Sequence, residues 1–152
     1  MRLPRGITGF RQVGELPLDR LDESEFRNAC YAVARIAGGV VSPPPSTSLS
    51  GNFFRCTIAY SGTERTVVCN MYAPLVAIAE PMPLYELTLT FADDPGLAGA
   101  FKSLSRFQVL SRHELGRPLA DFDLSELGPA ELEQVRYWNP HTLGQAIFNW
   151  WD

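Results

Sequence analysis

The sequence predicts an α+β fold, an antiparallel sheet of about four to six strands, centred on a meander, packed with an N-terminal helix and C-terminal helices. Three observations predict it. Residues 22–39 carry an amphipathic helical pattern with end signals on both sides. Residues 52–91 hold four successive strand-type segments separated by short turn signals. Helix starts then recur at Asp94-Pro95, at Pro129 and at Thr142. At 152 residues the chain has the length of one domain, and residues 1–152 are read as one.

The elements follow in order. Residues 3–13, with Gly6 and Gly9, read as a short strand or an extended arm. Asp22 is the N-cap of the first helix, with Glu25 three residues on as a capping-box partner. Phe26, Ala29, Cys30, Val33, Ile36 and Ala37 recur at helical spacing, predicting a helix over Glu23 to Ala37 that Gly38-Gly39 ends. Val40-Val41 begins a strand, and Ser42-Pro43-Pro44-Pro45-Ser46 breaks it into a surface connector. Residues 52–70 form a hairpin. A turn at Gly62-Thr63 puts Phe54, Cys56, Ile58 and Tyr60 on the core face with Val67, Cys69 and Met71, and sets Cys56 opposite Cys69. Arg55, Thr57, Thr66 and Asn70 point the other way. Leu75 to Ala79 is a short apolar strand, and the alternation Tyr85, Leu87, Leu89, Phe91 predicts another with one wet face. Asp94-Pro95 opens a helix, and Phe107 to Leu110 reads as a short strand. Ser111 to Asp123 shows weak periodicity and reads as irregular. Pro129 to Trp138 reads as a helix with Leu132 and Val135 inward and Glu131 and Glu133 outward. Thr142 with Gln145 caps the last one.

Composition narrows the function. A net charge of −4 and an isoelectric point near 5.2 argue against a binder of nucleic-acid backbones. The arginines are scattered, with Lys102 the only lysine. No apolar run approaches the roughly 18 residues of a membrane span. The opening residues lack the apolar stretch of a secretory signal, so a cytoplasmic location is expected. Three cysteines without a C-x-x-C pair disfavour a disulfide framework or a zinc knuckle.

Catalytic patterns are absent. His113-Glu114 lacks the second histidine of the zinc-protease helix, and His141 follows a proline turn. A Cys-His nucleophile pair would need a thiol from a predicted core face. Asp93-Asp94 is better used as a helix start than as a carboxylate pair. No glycine-rich phosphate loop occurs, and the sequence assigns no cofactor, no metal and no enzyme activity. Tyr137, Trp138, Phe148, Trp150 and Trp151 crowd the last sixteen residues. Packing of a C-terminal helix pair is the main expected use of these rings, with at least one tryptophan left partly exposed for a partner.

The ending Tyr137-Trp138-Asn139-Pro140, through Gly144, to Phe148-Asn149-Trp150-Trp151-Asp152 resembles that of small bacterial immunity proteins of polymorphic or type VI toxin systems. The opening Leu3-Pro4-Arg5-Gly6-Ile7-Thr8-Gly9-Phe10 is similar in the same setting, and together they cover about one-sixth of the chain. The resemblance implies a protein that neutralises a cognate toxin by stoichiometric binding. An acidic chain without a catalytic pattern fits an inhibitor of a cationic enzyme. The acidic stretch Asp121, Asp123, Glu126, Glu131 and Glu133 is the candidate contact surface, against the plainer reading of a solvated helix face. A small-ligand module using a pocket between sheet and helices is the alternative, followed by an enzyme with a dispersed site. The oligomeric state is not legible.

Overall fold

Helix α1 spans Glu23–Ala37, the bounds its caps dictate. Asp22 accepts hydrogen bonds from the Ser24 amide at 2.9 Å and the Ser24 hydroxyl at 2.7 Å, and Gly38 closes the helix at φ 74°. Glu25 does not complete the capping box. It forms a two-pronged pair with Arg106 at 2.7 and 3.0 Å. Phe26, Ala29, Cys30, Val33 and Ala34 are buried, whereas Ile36 is 62% exposed. Ala34 and Ile36 lie on opposite flanks of the stripe, and only one flank meets the neighbouring layer. The computed structural model describes residues 1–42, 51–81 and 88–151. The proline connector at 43–46, the predicted strand positions Tyr85 and Leu87, and Asp152 fall outside them.

Five strands form one sheet in sequence order: β1 (Val40–Ser42), β2 (Phe53–Tyr60), β3 (Thr63–Asn70), β4 (Leu75–Ala79) and β5 (Gln108–Val109). The first four make the expected antiparallel meander, while β5 runs parallel to β4, so the sheet is mixed. A chain that returns to β4 through helix α2 (Pro95–Leu104) arrives in the parallel sense. Past β5, the other half of the same β4 edge is met by Phe91, which bridges Ala79. The described part of the predicted strand ending at Phe91 supplies only this bridge.

The hairpin turn is Ser61-Gly62, not Gly62-Thr63. Both residues have positive φ, 49° and 72°, the conformation of a two-residue type I′ turn. Thr63, β-branched, is spared that conformation and pairs with Tyr60. The register therefore moves by two positions. Faces are kept, but Cys56 opposes Val67 and Cys69 opposes Phe54. The direct cross-strand cysteine pair is not formed.

Both faces of the sheet are covered. On one side Phe54, Ile58, Val67, Cys69, Val76 and Ile78 pack against α1 and α2. On the other, Phe53, Val68, Leu75 and Ala77 pack against Leu3 and Ile7 of the N-terminal arm and against the C-terminal third. That third comprises α3 (Arg112–Leu115), a 3₁₀ turn (Leu119–Asp121), α4 (Pro129–Trp138) and α5 (Leu143–Ile147). The expectation of one core face was thus incomplete: Thr66 and Asn70 on the second face are buried, and Arg55 and Thr57 are half-buried. The segment read as irregular also contains α3, closed by a full capping box between Ser111 and Glu114.

Candidate functional site

Of the five predicted contact carboxylates, Asp121, Asp123, Glu126 and Glu133 are exposed and Glu131 is not. Glu131 has no accessible surface. Its carboxylate accepts hydrogen bonds from the amides of Gly6 (2.7 Å), Thr8 (3.0 Å) and Gly128 (3.1 Å) and from the Thr8 hydroxyl (2.6 Å). It sits at the third position of α4, where the helix leaves amides unsatisfied, and it borrows the arm's amides as well. Its assignment to an outward contact surface is corrected: the side chain is a latch holding the arm. A sequence signal existed. Glu131 lies four residues before Val135, which places both on one helix face, and Val135 was already read as inward.

The exposed carboxylates are partly neutralised within the chain. Asp123 lies 3.0 Å from Arg2, Glu126 3.6 Å from the same guanidinium, and Asp121 3.8 Å from Arg117. Hydrogen bonds from Ser125 hold Asp123 below the usual carboxylate range. An uninterrupted acidic strip is not what these residues form.

Next to the latch lies a knot of three buried asparagines. Asn52 Nδ2 donates to the carbonyls of Ile7 (2.9 Å) and Ile147 (3.0 Å), and Asn70 Nδ2 donates to the same two carbonyls at 2.8 and 2.7 Å. Asn149 donates its amide N–H to Asn52 Oδ1 at 2.8 Å and its side-chain amide to Ala146 at 2.8 Å and Thr8 at 3.2 Å. The arm, the hairpin and the tail are thereby tied at one point, each polar group satisfied as burial requires.

The tail builds one wall of a cleft of about 810 Å³, whose other walls are residues 88–91, α3 and the α4–α5 turn. Phe148 is buried, while Trp150 and Trp151 are half-buried. The α5 capping box is present as expected: Gln145 N–H donates to Thr142 Oγ1 at 3.3 Å, and Gln145 Oε1 accepts from the Thr142 amide at 3.4 Å. Gly144 is required by close approach, since a Cβ there would lie 2.5 Å from the Phe91 ring. At the rim, Trp138 lies parallel to Trp151, with centroids 6.3 Å apart, and Tyr137 meets Trp138 edge-on at 5.2 Å. Tyr137 is 77% and Trp138 42% exposed, so the structure leaves outward the two rings at the end of α4, where packing in a helix pair was expected. The aromatic count pointed to this region, but neither the cleft nor its rim was legible.

The thiols gather on the opposite face of the sheet. The neighbouring Cys56 thiol and burial raise Cys30 far above the ordinary thiol range, and the neighbouring Cys30 lowers Cys56. Burial pushes Cys69 up to about 12. Asp94, the N-cap of α2, accepts from the Tyr60 hydroxyl and from Arg65 at 3.4 Å, and Arg65 also pairs with Glu80 at 2.8 Å. Burial, then the Asp94 hydrogen bond and charge, push the Tyr60 phenol up to about 12. Among the described residues no group of three His, Cys, Asp or Glu side chains is placed to hold a metal ion, and no helix is long and apolar enough to cross a membrane. No family model, curated protein or solved structure matches the chain.

Proposed function

We propose that this chain is an immunity-type protein that neutralises a cognate toxin domain by stoichiometric binding, with Tyr137 and Trp138 as the centre of the contact. The observation that carries the proposal is the pair of exposed, mutually packed rings at the end of α4. Rigid aromatic anchors lose little conformational entropy on binding, and such residues dominate the energetics of protein interfaces. The resemblance of the tail and opening to toxin-immunity proteins adds the class of partner. A net charge of −4, with Asp121, Asp123, Glu126 and Glu133 on the surface, supports faster encounter with a cationic toxin.

The test is co-expression with the products of the adjacent genes, followed by gel filtration of any complex. One product should be toxic alone and harmless with this chain. Tyr137→Ala should then weaken the complex by about thirtyfold, the loss of roughly 2 kcal/mol typical of an interface hot spot, without changing the melting temperature. If no neighbouring product is bound or neutralised, the immunity reading fails. If rescue persists with an unchanged Kd for Tyr137→Ala, the aromatic contact is wrong.

A further inference from the structure

The cleft behind that rim has a chemistry that protein docking at Tyr137 does not use. Its walls are flat and aromatic, from Phe91, Trp138, Trp150 and Trp151. Among the described lining residues Arg112 is the one side chain with a formal charge. Gln145 spends its carbonyl oxygen on the His141 and Thr142 amides, which leaves its NH₂ group as the side available to the cleft. Arg112 has its backbone N–H fixed by Asp93 at 2.9 Å, while its guanidinium forms no ion pair among the described residues. In a chain of net charge −4, no Asp or Glu occurs among the described residues lining this cleft.

We infer that the cleft binds an aromatic carboxylate: a planar ring held against the aromatic walls, with its anionic group taken by Arg112 and Gln145. Aromatic walls favour a planar apolar group, and a guanidinium with no carboxylate beside it in the lining favours a carboxylate over a neutral amide or an amine. The volume, about 810 Å³, suits a ligand larger than a single ring. Two sources share this chemistry, a free aromatic acid and the C-terminal aromatic residue of a peptide. The inference stands apart from toxin binding, since a small acid or a short peptide tests it without any toxin.

The three tryptophans of the chain, Trp138, Trp150 and Trp151, all line the cleft, so tryptophan fluorescence, excited clear of the five tyrosines, reports on this site. The probes are phenylacetate, its neutral analogue phenylacetamide, and a tripeptide ending in phenylalanine with a free or an amidated C-terminus. Phenylacetate or the free-acid peptide should change the fluorescence saturably. The matching amide should bind at least about tenfold more weakly, and Arg112→Gln should remove that preference while leaving the melting temperature unchanged. Tighter binding of the peptide identifies a protein terminus as the source, and tighter binding of phenylacetate a free acid. Equal binding of acid and amide, an unaltered preference in Arg112→Gln, or no saturable response to any probe overturns the inference.

Discussion

On the α1/α2 side of the sheet, Phe26, Val33, Leu97 and Phe101 meet Ile58, Val67 and Ile78 in an apolar layer. Its polar contacts lie at the edge, where Tyr60 and Arg65 hold Asp94 at the start of α2. The other side also buries an apolar layer, but it places Glu131, Asn52, Asn70, Asn149 and Thr8 inside it. The first side relies on area removed from water, which is tolerant of geometry and distributed over many residues. The second depends on a few polar groups whose partners must all be present, because a buried donor or acceptor left unpaired is costly. The difference teaches where the molecule is brittle: at the junction of arm, hairpin and tail.

The largest expected effect tests that brittleness. A chain ending at Ile147 loses Phe148, Asn149 and both following tryptophans, so it loses an aromatic worth about 3–5 kcal/mol and part of the asparagine knot. It should show no cooperative melting transition by circular dichroism. A cooperative melt near the parent temperature would break the comparison.

Smaller, and sharper, is the contrast at Glu131. Glu131→Ala strands three amides and a hydroxyl in the interior and should cost roughly 3 kcal/mol or more in urea denaturation. Glu131→Gln keeps the shape and one acceptor and should cost less. Leu97→Ala on the other side, fully buried, should cost about 2–5 kcal/mol through its cavity alone. If Glu131→Ala stays within about 1 kcal/mol of the parent, the latch does not hold the arm.

The smallest effect concerns the polar pin at the edge of the apolar side. The folded-state phenol of Tyr60 titrates at about 12, above the ordinary 10.0. Its contribution is therefore complete below the unfolded value and fades as pH rises through about 12. Tyr60→Phe should cost about 1 kcal/mol at neutral pH and flatten the loss of stability between pH 10.0 and about 12. Alkaline melts of the two proteins read this directly, and identical slopes would remove Tyr60 as the titrating group.

The side that is tolerant is also the side that was legible. Helix α1 and strand β4 begin and end, and helix α2 begins, where capping residues and apolar spacing place them, since those signals are local. The candidate site was legible only in part. The tail's aromatics and the Thr142 capping box were visible, whereas the use of Glu131 and the three asparagines was not. Those side chains are polar at every sequence distance, and only partners far along the chain turn them inward. The hairpin register failed for a related reason: Gly62 fits either of two turns, and the choice rests on Thr63 avoiding positive φ.

The long reach of the arm's bonds also sets a clock. Gly6 and Thr8 find partners 123 to 141 positions later in the chain. At about 5–20 residues per second, a ribosome needs roughly 6–28 s to deliver them. During that interval Leu3 and Ile7 can meet Phe53, Val68, Leu75 and Ala77 of the sheet but not the C-terminal third that completes their cover. The nascent chain therefore carries a half-covered sheet and a sticky leading end until residues 131–149 emerge, the interval in which a chaperone would serve it most.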